Sequence, residues 1–310
     1  MLYHHLRTYP RFLNEKDFHN LPEFGMFTSA SQVQIDVRYE DLISTINAFS
    51  KLEPINAFLF SNSVLNDENI ELACSRDMLW EKSMQGYTEK NVGMFDPVPQ
   101  SIDELLDYML EMSIYCCQQD DKYINFPPIL IKDYFNQKEI DGEYFEDGKY
   151  HQIKFKPRLD DFEYFRTFKF ENLTFRGTIE FRSVCTQPVN EIMAVPAFHL
   201  GLINQSKKIN EILDKDTIIF NNGYSLYQLR RMFIRSDIPN FVNKEEFKKL
   251  LKTILDLASH GLKVRGKSEE KLLEPLYKRV NSLENPAQRV INHINFGEDL
   301  DRLILDYSKI

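Results

Sequence analysis

The segment Arg176-Gly-Thr-Ile-Glu-Phe-Arg-Ser183 alternates polar and apolar side chains. It is the segment that most clearly indicates both a strand and a candidate functional site. Its apolar positions are Ile179 and Phe181, and the residues between and around them are polar. A period of two predicts a strand with one buried face and one polar face. On the polar face, Glu180 would lie between the guanidinium groups of Arg176 and Arg182.

This polar face has two interpretations. The first is an ion-pair ladder on a solvated sheet surface, which is the ordinary use of such a pattern. The second is a metal-binding carboxylate beside a cation that binds an anionic substrate group, since a guanidinium group binds carboxylates and phosphates through two hydrogen bonds. Periodicity alone leaves both interpretations open.

Earlier in the chain, residues 31–37 alternate in the same way, with Gln32, Gln34 and Asp36 opposite three aliphatic side chains. This pattern predicts a second strand with one polar face. The same two interpretations apply to it.

Other elements are predicted from capping residues and apolar spacing. We expect a helix from about Tyr39 to Lys51 that ends before Pro54, and a helix from the cap Ser101 through Cys116. Further expected elements are a loop or hairpin tip at 142–150, strands at 150–156 and 164–170, and a helix from Pro188 to about Ile203.

The last third of the chain has helical spacing. Asn243 is expected to cap a helix that Gly261 ends, and Ser268 and Asn285 are expected to cap later helices. The whole pattern predicts an α+β fold with a mainly antiparallel sheet. We expect a single domain over 1–310, with a sheet-containing part at 1–205 and a helical part at 206–310.

Composition and charge argue against several classes of protein. The formal net charge of −9 argues against a nucleic-acid binder, which needs a basic surface. No apolar run approaches the length of a membrane span, and the first residues lack the pattern of a signal peptide. The four cysteines form no CxxC pair, so we expect a reduced, cytoplasmic protein that contacts neither nucleic acid nor membrane.

Short catalytic motifs are absent. The sequence contains no GxGxxG, no GxxxxGK[ST], no HExxH and no GxSxG. Its seven histidines are scattered without the spacing of metal ligands. The polar strand faces therefore remain the candidate site.

Six segments in order resemble the glutamate–cysteine ligase family of the plant and bacterial type. Three lie in the first third: 26–36 resembles "MM-x-T-A-x-Q-V-N-L-D", 52–63 resembles "L-x-P-I-x-x-A-L-F-A-N-S", and 75–80 resembles "S-x-R-x-x-I-W". Three follow later: 178–182 resembles "Y-I-E-x-R", 195–201 resembles "L-P-A-F-W-x-G", and 257–266 resembles "L-A-x-x-G-L-x-x-R-G". Their order and spacing match the C-terminal two-thirds of the family.

The resemblance implies a glutamine-synthetase-like catalytic fold with a curved antiparallel sheet. It also implies an ATP-dependent reaction of glutathione biosynthesis, in which the γ-carboxylate of glutamate is phosphorylated and the amine of cysteine, or another amine, attacks the acyl phosphate. ATP and Mg²⁺ are the implied cofactors.

The resemblance also implies residue roles. Glu180 would be a magnesium ligand, and Arg182 would hold a phosphate or a substrate carboxylate, as would Arg76. Substrate- or cofactor-binding roles are implied for a further set of residues: Gln32, Gln34, Arg176 and Trp80, with the tryptophan packing the loop that carries Arg76.

The sequence departs from the family in several places. Family members begin with a long segment carrying a "G-x-E-x-E" strand, and that segment is not recognised here. The family's "R-T-G" is Asn91-Val-Gly93, its "P-E-V-R" is Glu171-Asn-Leu-Thr174, and the tryptophan of "P-A-F-W" is His199. The alternatives to an active ligase are therefore a split enzyme that needs a separate N-terminal half, and a non-catalytic paralogue that binds or scaffolds.

Overall fold

The computed structural model of the chain describes residues 28–67, 70–174 and 176–307. Its strands, in chain order, are β1 (Val33–Asp36), β2 (Leu65–Asp67), β3 (Ile70–Leu72), β4 (Val92–Gly93), β5 (Ser113–Gln119), β6 (Lys122–Leu130), β7 (Ile140–Glu146), β8 (Lys149–Phe155), β9 (Phe168–Lys169), β10 (Glu171–Leu173) and β11 (Thr178–Phe181). Its helices are α1 (Leu42–Phe60), α2 (Arg76–Glu81), α3 (Ile102–Leu110), α4 (Ile131–Tyr134), α5 (Ala194–Leu202), α6 (Ser206–Asp214), α7 (Leu226–Phe233), α8 (Lys244–Arg265), α9 (Glu274–Ser282), α10 (Pro286–Asn295) and α11 (Leu300–Tyr307). The expected α+β class is confirmed.

The described residues form two compact units. The first contains residue 28 and residues 77–174, and the second contains 29–67, 70–76 and 176–307. The expected single domain, with its parts at 1–205 and 206–310, stays a prediction.

In the second unit, β1 and β11 pair antiparallel, with Gln34 opposite Glu180 and Ile35 opposite Ile179. The apolar face of this pair packs on helices. The ring of Phe181 lies 4.3 Å from that of Phe49 in α1, measured between centroids. A shift of one residue in either strand would move its side chains to the opposite face. Burial of the apolar face therefore fixes the register in which the polar side chains stay exposed.

Helix α1 runs past the expected end. Pro54 lies inside the helix rather than beyond it, and residues 45–60 are nearly all buried. An interior proline removes one helical hydrogen bond, but burial of this largely apolar segment outweighs that cost. Within the part of the chain that the structure describes, no helix combines the length and apolar character needed to cross a membrane.

Helix α8 also runs past its expected end, because Gly261 lies in its interior. The helix stops at Gly266, which adopts the left-handed conformation at φ 67°. Gly261 instead meets Gly201 of α5: a Cβ built at either position would overlap a backbone carbonyl oxygen of the opposite helix. The two glycines let the helix backbones approach closely.

Replacing Gly261 with alanine should therefore destabilise the protein, although alanine ordinarily favours a helix by about 1 kcal/mol. Forcing the helices apart should lower the free energy of unfolding by roughly 1–3 kcal/mol. The measurement is the urea-unfolding midpoint. Lys252→Ala on the exposed face of the same helix is the control and should change stability by about 0.5 kcal/mol or less. An equal or higher stability of Gly261→Ala would refute the close approach.

The first unit contains a four-stranded antiparallel sheet in the order β5-β6-β7-β8. Its tight turns use positive φ, at Asp120 and Asp121 in one hairpin and at Asp147 and Gly148 in the other. The loop or hairpin tip expected at 142–150 is a hairpin whose turn covers only 147–148, because residues 142–146 lie in β7 and residues 149–150 in β8. One face of the sheet packs into a core cluster of Ile114, Cys117, Ile124, Phe126, Tyr134, Ile140 and Phe155.

Two expectations in the first unit are wrong. The helix capped by Ser101 ends at Leu110, and Cys116 lies in β5 rather than in the helix. The segment 112–117 is buried almost throughout, so its continuous apolar character suits a strand covered on both faces. Of the strand expected at 164–170, only Phe168–Lys169 is in a strand, and Tyr164 is the last residue of a 3-10 helix that begins at Leu159.

A buried lysine also lies in the first unit. The Lys169 ammonium donates to the carbonyl oxygens of Val92 and Met94 and to the hydroxyl of Tyr108. Burial lowers the pKa of Lys169 to about 7. Its three acceptors compensate for removing the amine from water.

Candidate functional site

The polar face of the β1–β11 pair brings two predicted site residues together. Gln34 and Glu180 lie directly opposite each other, and the Gln34 side-chain amide donates to Oε1 of Glu180 at 2.9 Å. Neighbouring side chains on one face of an antiparallel pair are within reach of each other. The pairing of strands therefore aligns this carboxylate.

Arg182 completes the group. Its Nε lies 3.3 Å from Oε2 of Glu180, and the two side chains are 20% and 13% exposed. The pair is thus largely shielded from water yet reachable from the polar face. A largely shielded ion pair interacts more strongly than one in open solvent.

A buried network supports the residue that follows. The Ser183 hydroxyl donates to Oε1 of Glu53 in α1 at 2.9 Å. Arg230 of α7 contacts Oε2 of the same carboxylate at 2.5 Å and donates to the Glu53 carbonyl oxygen at 2.9 Å. Asn56 also donates to Glu53, at 3.0 Å. The end of β11 is therefore fastened to two helices of its unit.

Arg76 reaches the same place from another segment. It is 4% exposed, and its NH1 donates to the carbonyl oxygen of Ser183 at 3.2 Å. The structure thus brings Arg76 to the backbone beside Arg182. Its guanidinium is buried rather than presented on an open loop.

Three further predicted residues lie outside the two strands. Gln32 and Arg176 are exposed and flank the strands rather than lie in them. Gly177 has φ 78°, which interrupts the extended backbone before Thr178, so the alternation does not continue to Arg176. Trp80 belongs to the first unit, where its ring stacks on Phe168 at 4.0 Å between centroids. Of the resembling segment 26–36, residues 26 and 27 lie outside the described residues.

Beneath the strand pair, His199 occupies the position at which the family motif has tryptophan. It is fully buried, its Nδ1 donates to the Val195 carbonyl oxygen at 2.9 Å, and its ring packs on Phe49 and Phe181. Burial lowers the pKa of His199 to about 4. The ring is therefore neutral at pH 7 and acts as part of the core.

This histidine predicts a pH dependence of stability. The unfolded chain protonates His199 near pH 6.5, whereas the folded chain does so only near pH 4. Between these values the unfolded state binds more protons, so the free energy of unfolding falls as the pH is lowered, by about 3 kcal/mol in all. The free energy of unfolding of His199→Phe should therefore fall less between pH 7.5 and pH 4 than that of the parent protein. The measurement is the urea-unfolding midpoint of both proteins at the two pH values. The exposed His260→Gln control should behave like the parent protein, and identical acid sensitivity of His199→Phe would contradict the assignment.

The sequence reasoning missed the buried pair of Glu53 and Arg230. Both side chains are at most 3% exposed. A signal was present, because Glu53 lies in the mainly apolar stretch Leu52–Phe60, and a carboxylate is almost never fully buried unless paired. Its partner lies 177 residues away and could not be read from spacing.

The arrangement offers a carboxylate beside a guanidinium on one sheet face, with the carboxylate held by a hydrogen bond from Gln34. This set can bind an anionic group through Arg182 and offer oxygen ligands to a hard cation. Among residues 28–67, 70–174 and 176–307, no three acidic, histidine or cysteine side chains cluster as a metal site. The donor set here is a single carboxylate with an amide oxygen nearby.

Comparison with known proteins gives a consistent result. No family model matches the chain. Relatives named glutamate–cysteine ligase, chloroplastic, are 24% identical over 285 residues in Solanum lycopersicum and in Arabidopsis thaliana, which is 88% of this chain and 51% of each relative. The corresponding relative from Medicago truncatula is 24% identical over 289 residues, or 89% of this chain and 53% of the relative. The chain therefore spans about half the length of the curated relatives it matches.

Proposed function

Starting from this relationship to the glutamate–cysteine ligases, we propose that the chain carries the glutamate- and phosphate-binding strand of an ATP-dependent carboxylate–amine ligase. The product would be a γ-glutamyl amide formed through an acyl phosphate, as in glutathione biosynthesis. The observation that carries the proposal is the group formed by Gln34, Glu180 and Arg182 on one face of the β1–β11 pair. The resemblance motifs containing these residues supply its chemical meaning.

The proposed fold is glutamine-synthetase-like, with the polar face of a curved antiparallel sheet lining the active site. The antiparallel β1–β11 pair, with helices on its apolar face, is consistent with this architecture. A sheet that is backed by helices is rigid. It can therefore hold charged side chains in the fixed positions that catalysis by orientation of the reactants requires.

Magnesium fits the donor set in a limited way. Mg²⁺ commonly keeps several waters and uses one or two carboxylates together with substrate phosphates. Glu180 would hold it, and the Gln34 amide oxygen would add a ligand while the amide N–H group keeps donating to Glu180. When bound, the ion would neutralise charge on the transferring phosphoryl group.

The residues of the chain would then share the remaining work. In the reaction, an oxygen of the glutamate γ-carboxylate takes the γ-phosphoryl group from ATP and ADP leaves; an amine then attacks the acyl carbon and phosphate leaves. Arg182 would bind an anionic oxygen as charge develops on it. Gln34 orients Glu180, and the contacts of Ser183 with Glu53 and Arg76 hold the strand end that carries Arg182.

The alternative is a non-catalytic or split paralogue that needs a partner chain. This alternative is favoured because no three acidic, histidine or cysteine side chains cluster among the described residues, so further metal ligands would have to come from elsewhere. Glutamate, cysteine or another amine, and a separate N-terminal half are proposed partners only. The cytoplasmic location likewise stays a prediction.

Trapping the acyl phosphate separates these functions without assuming the acceptor. The purified chain is incubated with ATP, Mg²⁺, glutamate and hydroxylamine, which captures an acyl phosphate as a hydroxamate. The ligase proposal expects γ-glutamyl hydroxamate that requires both ATP and magnesium. If glutamate and ATP bind but no hydroxamate forms, the paralogue is the better description.

A further inference from the structure

Two cysteines that the proposed function does not use lie against each other in the second unit. The Sγ atoms of Cys74 and Cys185 are 3.6 Å apart, although the residues are 111 positions apart in the chain. Each residue is only 2% exposed. The Ser63 hydroxyl lies 3.4 Å from the Cys185 sulfur.

The backbone on both sides of this contact is fixed. The Cys74 N–H donates to the Ile234 carbonyl oxygen at 3.0 Å, and Cys74 forms a parallel bridge with Ser63. Cys185 forms an antiparallel bridge with Ala30. The two thiols are therefore brought together by the fold and not by side-chain freedom alone.

The surroundings of Cys185 favour its thiolate. Hydrogen bonding from Cys74, together with the positive charge of Arg76 and the Ser63 hydroxyl, lowers the pKa of Cys185 to about 5, although burial acts in the opposite direction. The thiolate is the reactive form of cysteine toward oxidants.

The other cysteine pair in the chain is different. Cys116 and Cys117 are neighbours in β5, so their side chains point to opposite faces of the strand. Burial raises the pKa of Cys116 to about 12 and also raises that of Cys117. These two thiols serve as an internal control for reactivity.

We propose that Cys74 and Cys185 form a dithiol that a small peroxide oxidises to a reversible disulfide. In the first step the Cys185 thiolate attacks one peroxide oxygen, the O–O bond breaks, and the departing hydroxide takes a proton to become water. The Cys74 thiol then attacks the sulfenic sulfur, the S–S bond forms, and a second water leaves. Two thiols lose two electrons, and the peroxide gains them.

The bond would join two segments of the candidate site. Cys74 precedes Arg76 by two residues, and Cys185 follows Arg182 by three residues. A covalent link there would tie the segment of Arg76 to the end of β11 in addition to the existing hydrogen bond. The proposal does not depend on the chain being a ligase.

The test is mass mapping of the full-length chain after limited treatment with hydrogen peroxide. Free thiols are alkylated in denaturant before digestion. The expected result is a linked peptide pair containing Cys74 and Cys185, lighter by two hydrogen atoms and restored by dithiothreitol. Cys116 and Cys117 should remain alkylated.

Variants sharpen the result. In Cys74→Ser, oxidised Cys185 should accumulate as a sulfenic acid that dimedone traps, whereas Cys117→Ser should keep the linked pair. If the Cys74→Ser chain fails to fold, the peptide mass map of the peroxide-treated parent protein alone tests the proposal. Alkylation of all four cysteines without any link, or a link that involves Cys116 or joins two chains, would overturn the proposal.

Discussion

Replacing Arg230 with leucine should lower the free energy of unfolding by about 3–5 kcal/mol, because it leaves a buried carboxylate without its cation. Arg230 contacts both the side chain and the backbone oxygen of Glu53, and both side chains are almost fully buried. Ser183 and Asn56 also donate to Glu53, but both are neutral and do not replace the positive charge of Arg230. Urea unfolding followed by circular dichroism measures the loss.

The matched control is Arg265→Leu. Arg265 pairs with Glu269 at 2.7 Å, but the two side chains are 42% and 26% exposed. A pair in this setting contributes about 1 kcal/mol or less. Equal losses for the two variants would show that Glu53 and Arg230 are not a buried charge pair.

Replacing Glu180 with glutamine should reduce magnesium-dependent hydroxamate formation by roughly a hundredfold or more, since preorganised charge at a reacting centre is worth this much in rate. The change keeps the shape of the side chain and its neighbour Gln34 but removes the negative charge. Stability should fall only modestly, because the variant loses the ion pair with Arg182 but keeps a side chain that can hydrogen-bond to its neighbours. The measurement is the initial rate at saturating ATP over a range of magnesium concentrations.

Asp36→Asn is the control for this variant. Asp36 lies on the same polar face, two residues from Gln34, and its removal also deletes one negative charge. Its rate should stay close to that of the parent protein. If both variants lost activity equally, the effect would reflect the charge of the face and not the position of Glu180.

Several features of the fold were predictable from local sequence. The alternation around Glu180 and Gln34 gave two strands whose polar faces are presented together. Ser101, Asn243 and Asn285 cap helices through their side chains as expected, since capping is decided within one turn. Ser268 is not a side-chain cap: it has φ 57° and accepts no capping bond.

The wrong expectations at Gly261 and Pro54 share a cause. A glycine at position 261 predicts a helix end, but its small size serves contact with Gly201, 60 residues earlier in the chain. A proline also predicts that the preceding helix ends before Pro54, whereas burial keeps the helix intact through this residue. In both cases tertiary packing outweighed a local preference.

The candidate site was predictable in its residue types and not in its geometry. The pairing of Gln34 with Glu180 joins residues 146 apart, and the network of Glu53 joins residues more distant still. Spacing along one chain carries no information about such contacts. The roles carried over from the family therefore remain predictions for Arg76, Arg182, Gln32, Gln34, Arg176, Trp80 and Glu180.

The most direct test of the proposed ligase is the product that the purified chain makes from ATP, Mg²⁺, glutamate and cysteine. ADP release and the mass of the product would be followed together, with a plant glutamate–cysteine ligase as the positive control. We predict γ-glutamylcysteine in amounts equal to the ADP released, and neither without magnesium. If the control turns over and this chain yields neither ADP nor product, the chain is not a ligase on its own, and the split or non-catalytic paralogue takes its place.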